Sequence, residues 1–200
     1  SSALEGVELG VRQVPEHDFI DITPLRTFYT VLDVFRWPIE NWHDYLSRTN
    51  HVATHSAWNA GSDSVYKRFS HLIYIVRDPR DMALSFARFA CTPFNLSHRP
   101  HPFDGPKEFL DANFSQLLRA WLTHVRSHLA KLRSYNAHIV FYEHLVAHPH
   151  VELARLANFL ALRLSEAMIE QVVNGNSLER VASRQPDHTN KGVWGGWQAA

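Results

Sequence analysis

Residues 71–81 read HLIYIVRDPRD, and they carry the strongest structural signal in the chain. The first six form a nearly continuous apolar run rich in β-branched and aromatic side chains, typical of a strand buried on both faces of a parallel sheet. Asp78 and Pro79 follow as a predicted N-cap and first helical residue, with Asp81 at the position of a capping-box acid. Apolar residues at helical spacing continue to about Ala90. The stretch therefore predicts a strand that leads directly into a helix.

The order of strand followed by helix recurs along the chain. The first thirty residues, in contrast, show no clear periodicity of apolar residues. Alternating strands and helices are typical of an α/β fold, in which ligands bind beyond the carboxyl ends of the strands. The other predicted elements are a helix over residues 38–46, a short β-like run over 51–54, a loop with four prolines over 92–106, a helix over 107–133, a buried strand over 137–142, and helices over about 151–162 and 164–173.

The composition is that of an ordinary globular protein. Of 200 residues, 45% are hydrophobic and 20% are charged, which argues against disorder and predicts one domain over residues 1–200. Twenty basic residues balance twenty acidic ones, so bulk charge excludes a strongly basic nucleic-acid-binding protein, and no nucleic-acid partner is expected. A local anion site is compatible with this balance. No apolar run approaches the roughly 18 residues of a membrane span.

Cysteine and histidine usage argues against disulfides and against a metal cofactor. Cys91 is the only cysteine, so no internal disulfide can form, and a reducing, cytoplasmic location is expected. His124 and His128 are four residues apart, as are His144 and His148. Each pair lacks an evident third ligand, so no metal is expected.

The residues that follow the two predicted strands are candidates for anion binding. Arg77 precedes a helix N-terminus, where backbone N–H groups attract anions and a guanidinium can bind phosphate. Ser85, two helical turns later, could add a hydroxyl contact. The alternative is a surface ion pair between Arg77 and Asp78 or Asp81. Tyr142 ends the second strand, where it could stack on a purine or simply pack.

Residues 190–197, NKGVWGGW, combine a cation, three glycines and two indoles. Glycine lets backbone approach a ligand closely, and Lys191 could neutralise a phosphate. The alternative is a flexible tail in which these residues cluster by chance.

Taken together, five elements resemble the PAPS-dependent sulfotransferases of the cytosolic and bacterial type, where PAPS is 3′-phosphoadenosine-5′-phosphosulfate. Residues 75–85 are similar to the family's strand–loop–helix element for the 3′-phosphate of the donor. The other four matches are residues 54–55 (TH) to a Lys-Thr-His element, 141–145 (FYEHL) to Tyr-Glu-Asp-Leu, 176–178 (NSL) to Thr-Ser-Phe, and 191–197 (KGVWGGW) to a terminal Gly-rich loop.

The resemblance implies a fold, a reaction and a set of site residues. The implied fold is a three-layer α/β fold like that of P-loop nucleotide hydrolases, with a mostly parallel sheet flanked by helices. The implied reaction transfers a sulfuryl group from PAPS, without a metal, to a hydroxyl or amine of a small-molecule, glycan or peptide acceptor, with His55 as the catalytic base. The implied donor-binding residues are Arg77, Ser85, Tyr142, Asn176, Leu178, Asn190, Lys191 and Gly192.

The chain also departs from the family pattern. Ala53 replaces a lysine before Thr-His, Asn190 and Gly196 replace the arginine and aspartate of the terminal loop, and Leu178 replaces an aromatic residue that packs on adenine. The Gly-rich loop for the 5′-phosphosulfate and the first strand of the fold are absent, and we expect them upstream of Ser1. These 200 residues alone are therefore expected to bind the nucleotide poorly and to turn over slowly or not at all.

Two other interpretations remain open at this point. One is a non-catalytic sulfotransferase relative that binds nucleotide and serves as an interaction module. The other is an unrelated P-loop kinase or nucleotidase, which would leave residues 191–197 unexplained. The sequence does not identify the acceptor or the oligomeric state.

Overall fold

The computed structural model describes residues 19–31, 35–49 and 51–176, and the chain divides into two units. The first unit comprises Ser1–Leu72 and Thr123–Ala137, and the second comprises Ile73–Leu122 and His138–Ala200. The elements in chain order are β1 (Phe19–Ile22), β2 (Thr27–Val31), β3 (Phe35–Pro38), α1 (Trp42–Arg48), α2 (Ser62–Tyr66), β4 (Leu72–Val76), α3 (Pro79–Ala90), α4 (Pro93–His98), α5 (Pro106–Leu132), β5 (Ala137–Phe141), α6 (Tyr142–Ala147), α7 (Pro149–Phe159) and α8 (Glu166–Gly175).

The first unit contains a three-stranded antiparallel sheet in the order β1-β2-β3, in a region where the sequence shows no clear period. Tyr29 lies opposite Ile20 on one side and Trp37 on the other, and the two aromatic rings stack with their centroids 5.6 Å apart. Such cross-strand pairs stabilise a sheet of short strands. A hydrophobic core in this unit consists of Ile20, Ile22, Ile39, Tyr45, Val65 and Tyr66.

The first helix begins later than the sequence predicts. Pro38 ends β3 instead of starting a helix, and α1 begins at Trp42. The cause is Asn41, whose side-chain oxygen accepts hydrogen bonds from the backbone N–H groups of His43 at 3.0 Å and Asp44 at 3.2 Å. These bonds satisfy N–H groups that have no partner inside the helix, so Asn41 sets the start of α1.

The second sheet consists of β4 and β5, which run in the same direction. Where the strands begin, the Leu72 amide donates to the Asn136 carbonyl at 2.9 Å. Where they end, the Asp78 amide donates to Glu143 Oε1 at 2.7 Å. Since α3 follows β4 and α6 follows β5, both helices begin at the same edge of this sheet. The strand–helix order predicted for this part of the chain is confirmed.

The prediction that β4 is buried on both faces is wrong for the described part of the chain. Tyr74 is 8% exposed, but its neighbours Ile73 and Ile75 are 43% and 58% exposed. Side chains alternate along a strand, so one face of β4 packs and the other is open. An apolar run indicates a strand but does not show how many of its faces are covered.

Part of the predicted loop over residues 92–106 is helical. Thr92 caps α4, because its Oγ1 accepts a hydrogen bond from the Asn95 amide at 3.3 Å. Pro93 begins α4 and Pro106 begins α5. Proline suits the first turn of a helix, where its missing N–H would have no partner. Two of the four prolines therefore mark helix starts.

The remaining helices agree closely with their predicted bounds, and the short helices α2 and α6 are additional. The predicted strand over residues 51–54 is reduced to a single bridge, in which Ala53 pairs with Phe19. Within residues 19–31, 35–49 and 51–176, no helix combines the length and the apolarity that a bilayer span requires.

Candidate active site

Five residues meet where β4 and β5 end, and we call them the strand-end cluster. They are Arg77, Asp78, Trp121, Tyr142 and Glu143. The Arg77 guanidinium lies over the Tyr142 ring, 4.5 Å from its centroid, in a cation–π contact. Glu143 Oε1 accepts the Asp78 amide hydrogen bond, and Trp121 Nε1 donates to the Arg77 carbonyl at 3.1 Å. The structure thus brings together Arg77 and Tyr142, two predicted site residues that follow different strands.

Arg77 does not form the surface ion pair that was its alternative interpretation. Asp78 pairs instead with Arg80, whose Nε and Nη2 lie 3.0 and 2.6 Å from its carboxylate oxygens. Hydrogen bonding from Arg80 holds the pKa of the Asp78 carboxyl at about 2. Among the described residues, Arg77 has no ion pair, and its buried Nε has no hydrogen-bond partner. A buried cationic donor without an acceptor is unfavourable, which suggests that a ligand supplies one.

The acid that completes the cap of α3 is Glu143 rather than Asp81. The Asp78 side chain caps the helix as predicted, accepting the Arg80 amide at 2.8 Å. In a capping box, the Asp78 amide would donate to Asp81, but here it donates to Glu143. The capping-box prediction is therefore wrong, because a carboxylate from the end of the neighbouring strand takes this position. Glu143 thereby ties the ends of β4 and β5 together.

Ser85 is the second sequence-predicted residue with an unused polar atom. It lies on α3, and its Oγ is buried with no hydrogen-bond partner among the described residues. A serine inside a helix usually bonds to a backbone carbonyl one turn earlier or points to solvent. Ser85 does neither. It shares with Arg77 the property expected of a residue that contacts a bound anion.

Substitution of Ser85 by alanine is expected to lower nucleotide affinity without lowering thermal stability. Removal of the unpartnered hydroxyl from a helix should raise the melting temperature by about 1–2 °C or leave it unchanged. Affinity for adenosine 3′,5′-bisphosphate should fall by about tenfold, since one hydrogen bond to a charged group is lost. Calorimetry and ligand titration measure the two effects. The matched control is Ser115→Ala at an exposed position of α5, which should leave affinity unchanged. A clear loss of stability in Ser85→Ala would show that the hydroxyl is structural.

Of the other predicted donor-binding residues, the structure describes Tyr142 and Asn176. Tyr142 begins α6, and one face of its ring is covered by Arg77. Asn176 follows α8, and its side-chain amide donates to the Val172 carbonyl at 2.8 Å. Four predicted residues lie outside the described residues, namely Leu178, Asn190, Lys191 and Gly192.

His55 lies in the first unit, in the extended segment that follows the Ala53 bridge. Its ring is exposed and stacks on Phe19, with the centroids 4.9 Å apart and the planes at 24°. The backbone is fixed beside it, because the Ile20 amide donates to the Ala53 carbonyl at 2.8 Å and Ser56 Oγ accepts the Ile22 amide at 2.8 Å. The candidate base is therefore accessible on a well-anchored segment.

His124 and His128 lie on α5, and their interactions could not be predicted from the sequence. The rings of His124 and His128 stack at a centroid distance of 4.3 Å. His124 also interacts electrostatically with His55 and with the backbone of Ser56. Burial, followed by repulsion from His128 and His55, lowers the pKa of His124 to about 4. Burial also lowers the pKa of His128. Within the described ranges, no group of three or more potential metal ligands forms.

The pH dependence of the free energy of unfolding should reveal the titration of His124. Its folded-state pKa of about 4 is below the 6.5 of a free imidazole, so the unfolded chain binds more protons between these values. Stability should therefore fall as the pH drops from about 6.5 to 4, and His124 contributes at most about 3 kcal/mol to that fall, less after solvent screening of its partly exposed ring. Thermal melts across this range should show a smaller drop for His124→Gln than for wild type. His43→Gln, at an exposed position of α1, should keep the wild-type dependence, and an unchanged dependence in His124→Gln would contradict the assignment.

The Sulfotransferase domain family model matches residues 20–192, which include every site residue predicted above. Sulfotransferase 1B1 of Canis lupus familiaris is 24% identical over 164 residues, which cover 74% of this chain and 54% of the relative. A flavonol sulfotransferase-like protein of Flaveria bidentis is 27% identical over 148 residues, which cover 70% of this chain and 47% of the relative. The chain thus spans about half the length of the curated relatives it matches.

Solved structures give the same result for the fold. Retinol dehydratase in complex with androsterone and the inactive cofactor PAP matches with a TM-score of 0.56 and 25% identity, covering 66% of this chain and 38% of that one. A mouse sulfotransferase complexed with PAP matches with a TM-score of 0.58 and 20% identity, covering 72% and 52%. These matches confirm the predicted α/β sulfotransferase fold. Because the family model also covers more than half of its residues, the chain belongs to the sulfotransferase family.

Proposed function

We propose that this protein is a PAPS-dependent sulfotransferase that transfers the sulfuryl group of PAPS to a hydroxyl or amine of an acceptor. The observation that carries the proposal is the pair of buried, unpartnered polar atoms Arg77 Nε and Ser85 Oγ. A 3′-phosphate offers acceptor oxygens to both, and it distinguishes PAPS from ordinary 5′-nucleotides. The PAP in the solved structures of similar fold supports the same donor.

In this proposal, side chains hold the 3′-phosphate more than helix amides do. Two amides at the start of α3 already have partners, since the Arg80 amide donates to the Asp78 carboxylate and the Asp78 amide donates to Glu143. Arg77 and Ser85 then provide the contacts. Tyr142 can meet the nucleotide only with its edge or with the ring face that Arg77 leaves open. The remaining proposed donor contacts belong to Asn176, Leu178, Asn190, Lys191 and Gly192.

His55 is the proposed general base. The acceptor oxygen or nitrogen attacks sulfur in line and passes its proton to the His55 imidazole. The bond between sulfur and the phosphate oxygen breaks, and adenosine 3′,5′-bisphosphate leaves with the electron pair. Histidine is the usual base at neutral pH because imidazole titrates nearby. The exposure of the His55 ring supports the role, since an acceptor can reach it.

The proposed acceptor is a small molecule that bears a hydroxyl group. Androsterone in one of the solved structures, and the flavonol in the name of one relative, support this class over glycans and peptides. We also propose a cytoplasmic location, since the thiol of Cys91 is unpaired within the described chain, as expected of a reducing compartment.

The proposed function is tested by measuring which sulfuryl donor the protein uses. The full-length protein is incubated with PAPS and a panel of steroid alcohols and phenols, and the release of adenosine 3′,5′-bisphosphate is measured. The matched donor is adenosine 5′-phosphosulfate, which lacks only the 3′-phosphate. Acceptor-dependent release from PAPS, with little from the other donor, is expected. Equal use of both donors would contradict the roles of Arg77 and Ser85. Binding of the bisphosphate without any transfer would favour a non-catalytic interaction module.

A further inference from the structure

The peptide group that joins Arg77 to Asp78 is held by a side chain at each of its two polar atoms. Trp121 Nε1 of α5 donates to its carbonyl oxygen at 3.1 Å. Its N–H donates to Glu143 Oε1 of α6 at 2.7 Å. The two bonds join residues 44 and 65 positions apart in the chain, so neither belongs to a helix or to a strand ladder. Because a peptide group is planar and rigid, bonds at both of its ends fix its rotation.

The rotation of this peptide group sets the direction in which the Arg77 side chain leaves the backbone. The rotation depends on ψ of Arg77 and φ of Asp78, which are the soft dihedrals on either side of the plane. Asp78 is the N-cap of α3, with φ of −50° and ψ of 128°, and its carboxylate accepts a hydrogen bond from the Arg80 amide at 2.8 Å. The backbone after Arg77 is therefore fixed by the start of α3 as well as by Trp121 and Glu143.

The far end of the Arg77 side chain is held by the residue next to Glu143. The guanidinium lies over the Tyr142 ring, 4.5 Å from its centroid. Tyr142 and Glu143 are the first two residues of α6, so one helical turn supports Arg77 both at its backbone and at its guanidinium. Arg77 Nε is buried and has no hydrogen-bond partner among the described residues. An arginine that is already ordered in this way loses less conformational freedom when it binds an anion.

We propose that Trp121 and Glu143 are positioning residues for recognition of the 3′-phosphate, because they orient the peptide group after Arg77 and thereby its guanidinium. The inference rests on the proposed role of Arg77 in binding that phosphate. Two other effects of Glu143 have the opposite sign. Its carboxylate repels a phosphate bound nearby, and its removal frees the Asp78 amide as an additional donor. Both effects alone would make binding tighter when Glu143 is removed, whereas the positioning role makes binding weaker.

The test uses three substitutions and two matched controls. Glu143→Ala removes the acceptor, whereas Glu143→Gln loses the charge but keeps an acceptor oxygen. Trp121→Phe keeps an aromatic ring and removes the N–H donor. Because Glu143 is exposed, its variants are expected to fold even if Trp121→Phe does not. The controls are Glu166→Ala, at an exposed glutamate in the first turn of α8, and Trp37→Phe on β3, with circular dichroism and thermal melts to establish folding.

The first readout is the affinity for adenosine 3′,5′-bisphosphate relative to that for 5′-AMP, measured by titration calorimetry. We expect this ratio to fall by about 3–10-fold in Glu143→Ala and in Trp121→Phe, since a misplaced guanidinium loses part of its charge-assisted hydrogen bonding. Glu143→Gln and both controls should keep at least the wild-type ratio. An unchanged or larger ratio in folded Glu143→Ala, or in folded Trp121→Phe, would overturn the proposal.

The second readout needs no nucleotide. In protein with isotope-labelled arginine, the Nε–H signal of Arg77 is identified by its loss in Arg77→Lys, and its chemical shift reports the contact with the Tyr142 ring. That shift should move toward the free-arginine value in Glu143→Ala and Trp121→Phe and stay near wild type in Glu143→Gln; an unchanged shift in folded Glu143→Ala would contradict the positioning role. A wild-type protein without preference for the bisphosphate would overturn the proposed 3′-phosphate site and this inference together. A wild-type preference that survives both substitutions would overturn this inference alone.

Discussion

Replacement of His55 by glutamine is expected to lower kcat by a factor of about 10²–10⁴, which is the usual contribution of a general base. Glutamine keeps the length and a hydrogen-bonding end but cannot take up the acceptor proton. Affinity for the donor should be unaffected, because the proposed donor contacts come from other residues. Single-turnover transfer, measured with protein in excess over PAPS, reports the chemical step even when turnover is slow.

The control for this prediction is His51→Gln. His51 is an exposed histidine four residues before His55, and its backbone carbonyl accepts the Thr49 hydroxyl at 2.8 Å. The substitution alters the same type of side chain on the same stretch and should leave kcat close to wild type. A His55→Gln protein that is folded, binds donor and retains at least half of the wild-type rate would show that another group, or none, removes the proton.

Substitution of Arg77 by alanine is expected to weaken binding of adenosine 3′,5′-bisphosphate by about 10–100-fold, since charge-assisted hydrogen bonds contribute about 1.5–3 kcal/mol. Affinity for 5′-AMP should hardly change, because that nucleotide has no 3′-phosphate. Arg77→Lys should recover only part of the loss, since an ammonium cannot reproduce the forked donors of a guanidinium. The bisphosphate contact should also weaken as salt is added.

A charge-matched control distinguishes a phosphate contact from a general loss of positive charge. Arg88→Ala removes an exposed guanidinium from the last turn of the same helix, α3, and should leave the affinity for both nucleotides near wild type. Equal weakening by Arg77→Ala and Arg88→Ala would show that net charge alone attracts the nucleotide. A parallel loss of 5′-AMP affinity in Arg77→Ala would place Arg77 elsewhere than at the 3′-phosphate.

The strand-end cluster could be predicted largely from local sequence. The apolar run before Arg77, the Asp78 cap and the proline after it are short-range signals, and each acts within a few residues of the place it marks. Parallel strands then bring residues after both strands to one edge, which is why Arg77 and Tyr142 meet. Glu143 could not be predicted as the cap partner, because Asp81 satisfies the local pattern equally well and only the tertiary structure selects between them.

Local sequence patterns did not predict the first sheet or the interactions around His55. β1 and β2 have only four and five residues, too few for a clear alternation, and their stability depends on pairs such as Tyr29 and Trp37 across strands. The spacing of His124 and His128 indicates that they share one face of a helix. It gives no indication that His124 interacts electrostatically with His55, because the two residues are far apart in the chain.

Recognition of the 3′-phosphate of PAPS by this chain can be tested by comparing the binding of two nucleotides to the wild-type protein. Trp121 donates to the Arg77 carbonyl, so its fluorescence should report occupancy of the strand-end cluster. Adenosine 3′,5′-bisphosphate and 5′-AMP differ only in the 3′-phosphate, so weak contacts elsewhere cancel in the ratio of their affinities. We expect a preference of about 10–100-fold for the bisphosphate. Equal binding of the two nucleotides by the folded protein would contradict it.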